Sequence, residues 1–233
     1  MGLNAKNAGN AGGNRIAQPI IEPGVYPARL VQILDLGVQA QRPYKGQEKP
    51  PAQELMLTYE LVDVFMVDEE GNEVEDKPRW VSETFVLHNL KADKAKSTVR
   101  YHAFDPQENF EGDWSQCIGM PINVTLVNNA SGDKVYTNVA SVAAMRPKDA
   151  DKCPELKNPS KVFDLMNPDV EVFNALPQWL QDKIKSNLNY QGSPLEAALA
   201  GGKPAKAPAK QAEKPKQAKD PAQQAFEEDD LPY

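Results

Sequence analysis

Gly24-Val-Tyr-Pro-Ala-Arg-Leu-Val-Gln-Ile-Leu-Asp-Leu-Gly-Val-Gln39 points to a β-rich architecture. It is rich in β-branched and aliphatic residues and reads as one long strand, with Gly37 placed for a bulge or bend. A polar loop follows at 40–51. A second strand spans 53–67, where Leu55, Leu57, Tyr59, Leu61, Phe65 and Val67 share one parity, the expected core face. Asp68-Glu69-Glu70-Gly71-Asn72 is a turn signal. A third strand at 79–88 alternates Trp80, Ser82, Thr84 and Val86 against Val81, Glu83, Phe85 and Leu87. Upstream, residues 1–20 form an Asn/Gly/Ala-rich arm, expected to be flexible, whose only cations are Lys6 and Arg15.

Beyond the third strand the period-two pattern stops. Part of 91–118, chiefly 92–104, looks helical. Strand character returns at 119–127, with Ile122, Val124 and Leu126 on one face. A hairpin loop at 128–133 leads to a fifth strand at 134–145. Three strands, a helical insert and two more strands is the order of an OB-fold. That is a five-stranded, partly open barrel whose second and third strands and adjoining loops bind oligonucleotides or oligosaccharides. A generic five-stranded barrel or an α+β domain would read similarly. Residues 160–190 carry Val162, Phe163, Leu165, Val172, Phe173, Leu176, Trp179, Leu180 and Ile184 at roughly amphipathic spacing, which predicts helices. The expected organisation is therefore mainly β. It comprises an arm at 1–20, an OB-fold barrel at 21–150, a helical extension at 151–200, a disordered Lys/Pro/Ala linker at 201–225 and an acidic tip at 226–233.

Two stretches carry a family resemblance. "PGVYPARLVQILDLGVQ" followed by "LMLTYELVD", together with the ending "FEEDDLPY", resembles phage-type single-stranded DNA-binding (SSB) proteins. The departures are an ending in Tyr233 where bacterial relatives end in Phe, lysines in the linker, and the block at 160–190, which a minimal OB domain lacks. The resemblance implies a non-catalytic protein that coats single-stranded DNA during replication, recombination and repair. It also implies that Phe226, Glu227, Glu228, Asp229, Asp230, Leu231, Pro232 and Tyr233 dock partners such as a polymerase, helicase, primase or recombination factor. A homo-oligomer fits the same picture. A solubilising acidic tail is the plainer reading, but it does not need the apolar Leu231-Pro232-Tyr233 end.

Capturing a single strand without reading its sequence takes cations along the phosphates and flat rings on which bases stack. The first loop interleaves Arg42, Tyr44, Lys45 and Lys49. Arg79 and Trp80 stand side by side, as do Arg100 and Tyr101, and Lys134 lies near Tyr136. Tyr44 has no apolar neighbours and reads as exposed. Tyr59 reads as core. Trp80 fits either role. Tyr101 and Tyr136 fit a structural role as readily as stacking, and Arg100 and Lys134 fit ordinary surface charge.

The net charge of −7 opposes nucleic-acid binding at first sight. Residues 201–233 hold six lysines and six acidic residues, so the whole imbalance lies in the first 200. Any DNA site must be a local basic groove on an acidic body. Cys117 and Cys153 are too few for a disulfide framework or a zinc site, which suits a reduced, cytoplasmic setting (the host cytoplasm, if the chain is phage-encoded). No apolar run approaches the roughly 20 residues of a membrane span, and the N-terminus does not read as a secretory signal. His88 and His102 lack metal spacing, and no phosphate-cradling glycine loop or nucleophile elbow occurs. Neither an enzyme nor a cofactor is expected. Two alternatives remain open: an adaptor whose barrel binds protein, which the acidic body favours, and a strand-annealing recombination protein.

Overall fold

The computed structural model describes residues 16–201. The strands are β1 (Gly24–Gln39), β2 (Ala52–Val67), β3 (Glu73–Val86), β4 (Pro121–Ser131), β5 (Lys134–Ala144) and the short β6 (Lys161–Phe163). The helices are α1 (Lys96–Phe104), α2 (Pro147–Ala150), α3 (Val170–Asn174), α4 (Gln178–Lys185) and α5 (Pro194–Leu199). The fold is mainly β. The first five strands form an antiparallel sheet in the order β3-β2-β1-β4-β5.

β1 is long because it serves two neighbours, β2 along most of its length and β4 along its first part. Its pairing with β2 slips between Leu30 and Gln32 and again between Asp35 and Gly37. Gly37 has φ +75°, and its N–H donates to Asp35 Oδ1 at 2.9 Å. The expected bulge is there, and such slips bend a strand sharply enough to curl a sheet. The curl brings β3 and β5 side by side. No hydrogen-bonded ladder joins them among the described residues, so the barrel is partly open, with the strand order of an OB-fold.

α1 lies at that seam against both strands. Arg100 crosses it: Nε donates to Glu83 Oε1 at 2.9 Å, and Nη2 donates to Glu83 Oε2 at 3.2 Å and to the Ala140 carbonyl at 3.0 Å. The Tyr59 hydroxyl donates to the same Glu83 at 2.8 Å, and Lys96 Nζ sits 2.9 Å from Oε2. Burial, and then the Glu83 carboxylate, pushes the Tyr59 phenol well above its ordinary pKa. Below the seam Trp114 packs edge-on to Tyr101 and Phe104, at ring centroid distances of 5.3 and 6.3 Å.

Leu55, Leu57, Tyr59 and Leu61 are buried, as their parity predicts. Phe65 and Val67 are only partly so. β2 and β3 run on past the barrel as a two-stranded arm after their register breaks between Glu60 and Phe65. β3 therefore begins at Glu73 rather than 79, and the polar run 73–78 belongs to that arm. The β4–β5 hairpin is also tighter than expected: Ser131 pairs Lys134 across a two-residue turn at Gly132-Asp133. The 16–19 stretch, expected to belong to a flexible arm, is tied down. The Gln18 side-chain amide exchanges two hydrogen bonds with the Val67 backbone, at 3.0 and 2.8 Å.

Part of the outer face, over β1 and β2, is covered as well. Phe163, Phe173, Leu176, Leu180, Ile184 and Leu195 form a second core against Leu34, Leu36 and Met56. Val162 and Phe163, expected in a helix, lie in β6, which pairs parallel with Gln32–Leu34 of β1. The part of β1 beyond Arg29 has no β4 beside it, and β6 takes that edge. At Gly37 an added Cβ would meet the Asn187 side chain at 2.7 Å, so the extension can approach only a glycine there. Arg29 latches the start of the extension, donating to the carbonyls of Pro154 (2.7 Å), Cys153 (2.9 Å) and Gly119 (2.8 Å) and pairing with Glu155 at 3.0 Å. No helix among the described residues is long and apolar enough to cross a membrane.

Candidate nucleic-acid interface

The loop at 40–51 ends in a compact finger. Tyr44 and Gln47 exchange backbone hydrogen bonds, each 2.9 Å. Lys45 (φ 49°) and Gly46 (φ 79°) supply the two left-handed residues that a type I′ turn requires. The turn holds the Tyr44 ring out in solvent at 48 % exposure. Lys45 Nζ and Lys49 Nζ lie 5.2 and 4.9 Å from its centroid, within cation–π range. Tyr44, Lys45 and Lys49 are thus brought together, and Arg42 is exposed on the same loop.

Trp80 sits on the outer face of β3, 41 % exposed. Ser82 and Thr84 follow it along that face, both exposed. The strip leads toward the finger, because Val86 pairs Glu54 and the Leu87 N–H donates to the Gln53 carbonyl, just where the loop enters β2. At about 3.3 Å per residue, Trp80 to Val86 spans roughly 20 Å. On the β2 side the strip is bounded by the extension. Glu60, 1 % exposed, is the joint. Its carboxylate accepts from Trp80 Nε1 (2.9 Å), from the Lys157 backbone N–H (2.7 Å) and from Asn158 Nδ2 (2.7 Å). One buried anion therefore fixes both the indole edge and the passing chain. The neighbouring row is polar too, with Thr58 Oγ1 and Ser82 Oγ 2.9 Å apart.

The remaining expected site residues are placed differently. Arg79 does not share the Trp80 face: its Nη1 donates to the Pro19 carbonyl at 3.0 Å, and burial lowers its pKa. Arg100 and Tyr101 are buried and do not lie on the exposed strip. Arg100 is 4 % exposed and committed to the seam, and Tyr101 is fully buried. The Tyr101 hydroxyl donates to Asp105 and accepts from the Gly112 N–H at 2.8 Å, while burial pushes its phenol up to about 12. An arginine and a tyrosine on a short polar helix look alike whether the helix faces water or plugs a barrel. Lys134 and Tyr136 are exposed on one face of the β4–β5 hairpin, which lies beyond the N-terminal end of β1, whereas the finger follows its C-terminal end. Residues 226–233, the expected partner-docking tip, lie outside the described residues, as does the linker beyond Gly201.

Glu60, Lys157 and Asn158 were not singled out in the sequence. The available signal was an acid at an outward position of a strand, in Thr58-Tyr59-Glu60-Leu61. Elsewhere, an open cleft of about 540 Å³ lies between Ile16, Gln18 and the Met66–Val74 arm, and it includes none of the expected site residues. Among the described residues no cluster of His, Cys, Asp or Glu is arranged to hold a metal. A scan of protein-family models finds no match to this chain, and a search of curated protein sequences finds none either.

Proposed function

We propose that this protein binds single-stranded DNA without reading its sequence and without catalysis, protecting it during replication and recombination. We further propose that residues 226–233 recruit partner proteins. The observation that carries the reading is the exposed β3 strip, with a tryptophan at one end and a tyrosine finger flanked by lysines at the other, on a barrel of OB strand order. Stacking on either ring is worth about 1–3 kcal/mol per base, whichever base it is. A base that stacks on Tyr44 takes over one face of the ring, and the displaced ammonium is then within reach of the adjoining phosphate.

The test is a fluorescence-anisotropy titration of labelled oligo-dT, oligo-dA and duplex at two salt concentrations. Saturable binding of both single strands that weakens as salt rises supports the reading; absence of oligo-dT binding at low salt refutes it. The acidic body favours a second reading, a protein-binding adaptor, which predicts that absence.

A further inference from the structure

We propose that the extension forms a wall of the strand-binding strip, and that Lys157 contacts the phosphate next to a base stacked on Trp80. This rests on the single-strand reading above. Glu60 Oε2 accepts from both Trp80 Nε1 and Asn158 Nδ2, at 2.9 and 2.7 Å. Two donors sharing one oxygen stand at most about 6 Å apart. The peptide N–H of Lys157 is held by the other oxygen of the same carboxylate. The Lys157 backbone is therefore fixed beside the indole, while its side chain is exposed.

The electrostatics agree. The Glu60 charge is buried and shared among three donors, and Glu155, on the same segment, is paired with Arg29. Among the described residues Lys157 makes no salt bridge. Lys161 pairs in register with Gln32 on β1 and follows Lys157 along the same segment. A strand lying on Trp80, Ser82 and Thr84 would thus have aromatic and hydroxyl groups beneath it and this lysine-bearing segment at its flank. That division of labour, stacking below and phosphate contact beside, is what sequence-independent capture needs.

Lys157→Ala is a clean test because the Glu60 bond uses the main chain, so the substitution leaves the joint intact. Oligo-dT affinity is measured between 50 and 200 mM salt for the wild type and the variant, with melting temperatures compared as a check on folding. Loss of one phosphate contact lowers the log–log salt slope by about 0.7, so the variant loses roughly 2.6-fold less affinity over that range than the wild type does. An unchanged slope with the wild type binding normally overturns this inference alone. A wild type that does not bind oligo-dT overturns it together with the function it rests on. Should Lys157→Ala lower the melting temperature substantially, Lys157→Gln, which keeps the aliphatic stem, replaces it, and the same slope criterion decides.

Discussion

Replacing Arg100 with methionine separates a seam residue from a DNA contact. The Arg100 and Glu83 side chains are 5 % and 4 % exposed, so the substitution leaves a carboxylate buried between β3 and β5. Breaking a buried pair by removing one partner costs about 3–5 kcal/mol. Lys96, 2.9 Å from Glu83 Oε2 and 45 % exposed, stays in place and partly compensates, which puts the expected loss near the lower end, about 3 kcal/mol. For a domain of this size each kcal/mol moves the melting temperature by roughly 2–4 °C, so a fall of roughly 6–12 °C is expected by circular dichroism. The double variant Arg100→Met/Glu83→Leu removes the stranded charge and leaves the Tyr59 hydroxyl without its acceptor, at about 1–3 kcal/mol. It is therefore expected to melt above Arg100→Met alone. Measured well below both melting temperatures, oligo-dT affinity stays within about twofold of wild type, because no exposed phosphate contact is lost. A melting temperature unchanged by Arg100→Met, with oligo-dT binding lost, would instead make Arg100 a ligand contact.

Tyr44→Ala weakens oligo-dT binding by about 1–3 kcal/mol in an anisotropy titration and leaves the melting temperature within a degree or two, because the Tyr44 ring is exposed and belongs to neither core cluster of the described residues. Deleting residues 226–233 leaves DNA affinity unchanged or raised in a gel-shift titration while abolishing partner capture; a large loss of affinity would count against the proposed tail. Burial, then Asp105 and Asp113, pushes the Cys117 thiol up to about 12. At pH 8 it stays protonated in the folded protein, so iodoacetamide modifies it only after unfolding, as read by mass spectrometry. Rapid labelling of Cys117 in the native protein would contradict its burial in the barrel core.

What the sequence made legible was local. β1 was readable to its ends because its composition is uniform and Gly37 falls where a bend is needed. The buried parity Leu55, Leu57, Tyr59, Leu61 was readable because period two is a strong signal when one face meets a core. The arm beyond Leu61 was not, since Phe65 and Val67 keep the same parity after the strand has left the barrel. β6 was missed because three residues are too few to display alternation, and Val162, Phe163 and Leu165 also suit a helix. The site divides in the same way. Tyr44, Lys45 and Lys49 could be grouped from their own loop. The joint at Glu60 depends on residues 97 and 98 positions further along the chain, and Arg100 depends on a seam that exists only once the sheet curls.

The proposed binding mode lays a single strand along the β3 face and stacks one of its bases on Trp80. Of the three tryptophans, Trp114 is buried in the barrel and Trp179 is exposed on α4. In a Trp179→Phe background, a change in intrinsic fluorescence on adding oligo-dT therefore reports on Trp80. Saturable quenching that reverses with added salt and disappears in Trp80→Phe is the predicted result. Oligo-dT bound tightly by anisotropy with Trp80 emission unchanged would contradict it.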